Sequence, residues 1–236
     1  MTLKLACLVE RVVAHGERVY TLELKPERPA PRFRPGQFLH LALDPYDPTG
    51  FWPESRVFSI ASAPHERTRL RITYAVYGRF TERMEAEALE GRQVWIKLPY
   101  GDFVIDGDAD VALFAGGTGV SAFTAFLEGL PPDHPRRVTL AYGARTDSLL
   151  IYRDALERCG ARGRALELMY FAERADGIVP ELTAGRVSVE AVWPRLRDPR
   201  QTHFYISGPP PMLEAIARDL KARGIGAGAI HIDAWE

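Results

Sequence analysis

Residues 111–122 constrain this chain more than any other stretch. The run Val111-Ala112-Leu113-Phe114 is apolar at every position, as in a strand buried on both faces. Ala115-Gly116-Gly117-Thr118-Gly119 follows at once, and Val120–Gly129 then reads as a helix. A buried strand passing through glycines into a helix suits an anion. The glycines let the main chain approach a phosphate, and the helix start supplies N–H donors and a positive dipole end. The segment has no lysine of the kind a nucleoside triphosphate loop carries, which disfavours nucleotide hydrolysis. Gly117-Thr118-Gly119-Val120-Ser121-Ala122 fits the dinucleotide pattern G-x-G-x-x-A. That pattern places an acid about 20 residues on to hold a ribose diol. Here Arg137–Tyr142 and Gly143-Ala144-Arg145 supply none. The loop therefore suits a pyrophosphate, held otherwise than in the usual Rossmann arrangement.

The texture of the chain changes near residue 106. Before it, Val12–Leu24, Gln37–Leu43, Arg56–Ile60, Leu70–Val76 and Gln93–Lys97 read as strands, with one helix at about Thr81–Leu89. After it, strands at Val111–Phe114, Arg137–Tyr142, Ala165–Tyr170, Thr202–Ile206 and Ala229–Ile232 alternate with helices at Val120–Gly129, Ser148–Cys159 and Pro211–Arg223. Alternation of this kind implies a parallel sheet with helical crossovers. The stretch Asp106-Gly107-Asp108-Ala109-Asp110 marks the boundary. The expected fold is an antiparallel Greek-key β-barrel domain over residues 1–105, followed by a parallel-sheet α/β domain over residues 106–236.

Composition closes off several functions. Thirty basic and 31 acidic residues leave a formal charge of −1, without the basic patch of a nucleic-acid binder. No apolar run approaches the roughly 18 residues of a membrane span. Cys7 and Cys159 cannot furnish the four thiolates of an iron–sulfur cluster, nor a disulfide framework. Redox chemistry would have to come from an organic cofactor or a partner, and a reducing cytoplasm is the expected compartment. The six histidines show no metal-ligand spacing, so no metal site is expected.

Taken in order, further segments give the chain a resemblance to the ferredoxin–NADP(+) reductase-like flavoprotein superfamily, from about Leu5 to Trp235. Arg34-Pro35-Gly36-Gln37-Phe38 resembles its PGQF entry to the barrel, and Arg56-Val57-Phe58-Ser59-Ile60-Ala61-Ser62 its flavin motif R-x-[YF]-S-x-x-S. Gly78-Arg79-Phe80-Thr81 resembles the segment G-x-x-[ST], and Leu98-Pro99-Tyr100-Gly101-Asp102-Phe103 the ending GPxGxF. Ala115–Gly119 matches AGGTG, Tyr142-Gly143-Ala144-Arg145 matches YGxR, and Ser207-Gly208-Pro209-Pro210-Pro211-Met212 resembles CGPPPM. The shared order, rather than any one segment, makes the match specific.

The resemblance implies an NADH- or NADPH-dependent oxidoreductase that passes hydride from nicotinamide to a flavin and electrons on to a separate acceptor. That acceptor would be an iron–sulfur or haem protein, or a small molecule. The alternative is a non-catalytic flavin-binding electron-transfer subunit or redox sensor. FAD is favoured over FMN, because Arg56 and Gly78, Arg79, Phe80 and Thr81 suit a diphosphate. Val57, Phe58 and Ser59 would meet the flavin, Ser59 beside the hydride-accepting nitrogen, and Thr73, Tyr74 and Ala75 would meet it through strand backbone. Gly116, Gly117, Thr118, Gly119, Arg145, Gly208 and Pro209 would hold the dinucleotide. Ser207 stands where the family has cysteine and Asp233 where it has glutamate, and both are expected beside the reacting rings. Trp235 replaces the family's tyrosine or phenylalanine against the flavin face. Arg145 and Arg174 could clamp a 2′-phosphate, whereas Glu173 would accept a ribose diol and favours NADH.

Overall fold

The computed structural model describes residues 2–163, 165–175 and 181–234. It divides into two compact units, Met1–Val104 and Ile105–Glu236.

The first unit is a nearly closed antiparallel barrel. Its strands are β1 (Leu3–Ala14), β2 (Val19–Pro26), β3 (Phe38–Ala42), β4 (Ser55–Ser59), β5 (Leu70–Ala75) and β6 (Gln93–Tyr100), with α1 (Arg79–Glu87) between the last two. The sheet order is β4-β3-β6-β1-β2-β5. Alternate residues point inward, so Leu5, Cys7, Val9, Leu22, Leu24, Leu39, Leu41, Ile72, Val94 and Ile96 fill one core. Between the terminal strands β4 and β5 the ladder is replaced by local bonds. The Ala61 N–H donates to the Arg71 carbonyl at 2.8 Å, and the Arg71 guanidinium donates back to the Ala61 carbonyl at 2.9 Å.

The reading of Val12–Leu24 as one strand is corrected here. The chain turns through His15–Arg18, where Gly16, Glu17 and Arg18 all take positive φ, and returns as β2 against β1. Two side-chain-bearing residues in the left-handed region carry none of the Asn-Gly or Asp-Gly signature by which such a turn is usually read.

The second unit is a parallel sheet. It contains β7 (Val111–Gly116), β8 (Val138–Thr146), β9 (Leu166–Arg174), β10 (Leu182–Ala184), β11 (His203–Ser207) and β12 (Ile230–Asp233), in the order β10-β9-β8-β7-β11-β12. Helices α2 (Ser121–Gly129), α3 (Arg153–Arg162), α4 (Val189–Val192) and α5 (Pro210–Ala222) provide crossovers. All six residues of β7 are buried, as its uninterrupted apolar run requires. The expected helix Ser148–Cys159 is broken. A short 3₁₀ turn at Asp147–Leu149 is followed by Tyr152 at φ 63°, and α3 starts only at Arg153. Leu149, Leu150 and Ile151 are buried ahead of it, so this apolar run serves as an anchor rather than as a helix face. Strand β10 and the short helix α4 were not expected from the sequence.

Candidate functional site

In the barrel the candidate residues lie on its two terminal strands. Each of β4 and β5 has a sheet partner on one side only, β3 and β2 respectively. Their outer edges run along Arg56–Ser59 and Thr73–Ala75 and have no ladder partner among the described residues. Along β4, Arg56 and Phe58 register with Leu41 and Leu39, whereas Val57 and Ser59 register with His40 and Phe38 on the opposite face. Phe58 is buried in the barrel core, 6.2 Å from the Tyr74 ring. Tyr74 stacks on Tyr20 at 5.5 Å, and burial pushes its phenol well above the ordinary range. The Thr73 hydroxyl meets that of Thr21 at 2.8 Å.

The start of α1 completes this surface. Gly78 takes φ 94° at the N-cap, makes no side-chain cap, and has open space where a Cβ would stand. The Thr81 hydroxyl donates to the Gly78 carbonyl at 3.0 Å and accepts from the Tyr77 N–H at 2.7 Å, pinning the turn. The first turn's N–H groups at Arg79, Phe80 and Thr81 precede the first helical bond, from the Glu82 N–H to the Gly78 carbonyl. The Arg56 guanidinium lies 5.2 Å from the Phe80 ring centre. Arg56 and Arg79 share a single carboxylate, Glu54, at 3.5 and 3.8 Å. Two cations, one anion and a helix start make a surface that fits a diphosphate, and the two terminal strand edges fit a planar ring with hydrogen-bonding rims. Glu54 was missed by sequence reasoning, although it stands two residues before Arg56.

In the second unit the glycine loop and the Ser207-Gly208-Pro209 loop follow β7 and β11. These neighbouring strands are the point from which the chain runs to opposite sides of the sheet, where open α/β sheets bind ligands. The two loops are interlocked. A Cβ on Gly116 would meet Met212 Sδ at 2.5 Å and Pro209 Cδ at 2.9 Å, and one on Gly119 would meet the Ser207 carbonyl oxygen at 2.5 Å. Gly117 takes φ 54°, and Thr118 lies in the 3₁₀ turn Gly117–Val120 that leads into α2. Close approach of main chain thus sets Gly119, the Met212 and Pro209 side chains set Gly116, and positive φ sets Gly117.

Ser207 and Asp233 stand directly opposite each other on β11 and β12. The Ser207 hydroxyl donates to Asp233 Oδ2 at 2.8 Å, and both residues are almost wholly buried, at 2% and 4% exposure. Two positions at which this chain departs from the family pattern are thus bonded to one another. Trp235 lies outside the described residues.

Beyond the glycine loop, Gly116 registers with Gly143 on β8, which places Arg145 at the same end of the sheet. A Cβ on Gly143 would meet Val187 Cγ2 at 2.6 Å, so this glycine admits the crossing segment. Thr146 registers with Arg174, bringing Glu173 and Arg174 there as well. Glu173 is held by a two-pronged bond from Arg186, at 3.1 and 3.3 Å. Arg186 was missed because it is distant in sequence and no motif marks it. Among the described residues, no cluster of three or more His, Cys, Asp or Glu side chains could hold a metal, and no helix is long and apolar enough to cross a membrane.

Residues 113–218 match the family model for the oxidoreductase NAD-binding domain. The propane 2-monooxygenase reductase component of Mycolicibacterium smegmatis is 28% identical over 96% of this chain and 66% of its own length. The ferredoxin reductase component of 3-ketosteroid-9-alpha-monooxygenase from Mycobacterium tuberculosis is 29% identical over 89% of this chain and 58% of its own length. The chain thus spans about three fifths to two thirds of these curated relatives. Among solved structures, the FAD/NAD-binding domain of nitric oxide dioxygenase from Vibrio cholerae superposes with a TM-score of 0.83 at 18% identity, over 98% of both chains. A ferredoxin NADP+ reductase from Neisseria gonorrhoeae with bound FAD and NADP gives 0.78 at 20% identity, over 98% of this chain and 96% of its own.

Proposed function

We propose that this chain, a member of the ferredoxin–NADP(+) reductase-like superfamily by fold and by sequence, is a cytoplasmic FAD-dependent reductase that takes hydride from NADH or NADPH and passes electrons to a separate protein acceptor. When bound, FAD supplies an acceptor for hydride that can release electrons singly.

In this reading Arg56, Arg79 and the N–H groups at the start of α1 hold the FAD diphosphate, with Gly78 and Thr81 shaping the turn. The edges of β4 and β5, through Val57, Phe58, Ser59, Thr73, Tyr74 and Ala75, hold the flavin ring. Gly116–Gly119 hold the dinucleotide pyrophosphate, Gly208 and Pro209 flank the nicotinamide, and Arg145 binds toward the adenosine end. Ser207 and Asp233 act as one bonded pair. The buried carboxylate favours the positive charge that nicotinamide develops as it loses hydride.

The observation that carries the proposal is the pairing of a diphosphate-suited helix start with the two terminal strands of the same barrel. Cys7 and Cys159, both buried and outside any disulfide, accord with a reducing compartment. The test is anaerobic stopped-flow on the FAD-reconstituted protein. Bleaching of the flavin absorbance by NADH or NADPH is expected, and no bleaching with either refutes the assignment.

A further inference from the structure

The parallel sheet has a hollow at the end away from its glycine loop. This cavity, of about 120 Å³, lies at the first residues of β7, β8 and β9, beside the segment 195–197 that leads toward β11. A single water needs only ~15 Å³, so the space admits a small ion. Val111 at this end and Gly116 at the glycine loop are the two ends of β7, about 17 Å apart at ~3.3 Å per residue. The hollow is therefore separate from the candidate dinucleotide loop.

Three arginines line it, Arg137 at the entry to β8 and Arg195 and Arg197 on the crossing segment, against two carboxylates, Asp110 and Glu167. Glu167 accepts from Arg195 Nη1 at 3.0 Å, and Asp110 lies 2.9 Å from Arg197 Nη2. Asp110 also accepts the Arg137 main-chain N–H at 2.8 Å. The Arg137 guanidinium itself is exposed and has neither an ion pair nor a hydrogen bond among the described residues. A guanidinium carries five N–H donors, so Arg195 and Arg197 keep donors for a second acceptor. Both are more than half exposed, at 59% and 60%, where an ion pair contributes little and rearranges at small cost. The wall also holds a buried hydroxyl. Thr139 is two residues beyond Arg137, registers with Glu167 on β9, and is only 5% exposed. Its hydroxyl has no hydrogen-bond partner among the described residues, whereas a buried polar group ordinarily has one. An unpartnered hydroxyl in a hollow rimmed by guanidinium groups points to an acceptor.

We propose that this hollow binds a small tetrahedral oxyanion of the phosphate class, which bridges Arg137 and the Thr139 hydroxyl to Arg195 and Arg197. The site carries one uncompensated positive charge and more donors than the two oxygens of a carboxylate can accept, which favours a multiply charged anion with four oxygens. Occupancy ties the crossing segment to the sheet and stabilises the folded chain by mass action. The site is independent of the proposed flavin and dinucleotide sites.

The test is calorimetric titration of the full chain with inorganic phosphate at constant ionic strength. Phosphate also suits the glycine loop, so variants at the far end of the sheet make the assignment. Binding with a Kd of about 1 mM or tighter is expected, weakened at least about tenfold by Arg137→Gln and several-fold by Thr139→Val. Arg137→Lys keeps the charge but loses the fork, and should fall between Arg137→Gln and wild type. Phosphate should raise the melting temperature of wild type more than that of Arg137→Gln, and without phosphate the two should melt together, which shows the variant to be folded. Competition by glycerol 3-phosphate assigns the site to phosphate esters, and its exclusion assigns it to the free ion. Equal affinity of Arg137→Gln, acetate binding as tightly as phosphate, or no binding below about 10 mM would each overturn the proposal.

Discussion

Removing the Ser207 hydroxyl tests the bonded pair most directly. The donor–acceptor distance is 2.8 Å and the two residues are exposed by only 2% and 4%, so water cannot readily replace the lost donor. A hydrogen bond to a charged group contributes roughly 1.5–3 kcal/mol, toward the upper end when an acceptor is left buried. Ser207→Ala removes little volume, so the cavity contribution is small beside the polar one. Asp233→Asn keeps the shape but weakens the acceptor. The informative quantity is the coupling energy from urea unfolding of wild type, Ser207→Ala, Asp233→Asn and the double variant. We expect about 1.5–3 kcal/mol of coupling, with Ser207→Cys intermediate because a thiol is a weak donor. A coupling energy below about 0.5 kcal/mol would show the two side chains to be energetically independent and refute the reasoning.

Gly119→Ala places a methyl group 2.5 Å from the Ser207 carbonyl oxygen and 2.6 Å from its carbon. Main chain cannot yield as a side chain can, so a loss of about 1–3 kcal/mol in stability and at least a tenfold rise in the KM for the nicotinamide substrate are expected from unfolding and steady-state assays. Arg186→Ala releases Glu173 from its two-pronged bond. The freed carboxylate should raise the KM for NADPH several-fold while leaving that for NADH equal or lower, and an unchanged KM ratio would remove this pair from cofactor choice. Burial holds His15, His40 and His231 below the usual histidine range, with Lys97 adding to the effect on His40 and His203 to that on His231. The unfolded chain therefore takes up protons that the folded one refuses. Stability present above pH ~6.5 is lost as the pH falls below that value, and melting temperatures from pH 7.5 to 5.5 should fall less steeply in His15→Gln/His40→Gln/His231→Gln.

Much of the architecture was legible because its elements carry strong local signals. The apolar run at Val111–Phe114 forced a doubly covered strand, and the alternation after residue 106 forced crossovers. The hairpin at His15–Arg18 was not legible, because its left-handed positions are held by Glu17 and Arg18. The break at Tyr152 was hidden for the same reason, with buried leucines around it imitating a helix face. In the candidate site, the glycine motif could be found from order and spacing. The bond between Ser207 and Asp233 could not, since it depends on which strands become neighbours across 26 residues of sequence. The same holds for Glu173 with Arg186.

The seam between β4 and β5 has a consequence for handling the protein. Two strands with no ladder between them among the described residues lie at the ends of one sheet, and strand edges recruit other chains when nothing covers them. Cofactor loading would then govern colloidal behaviour as well as colour. Material that has shed its flavin should associate through these strands, and supplying FAD during purification should keep it dispersed.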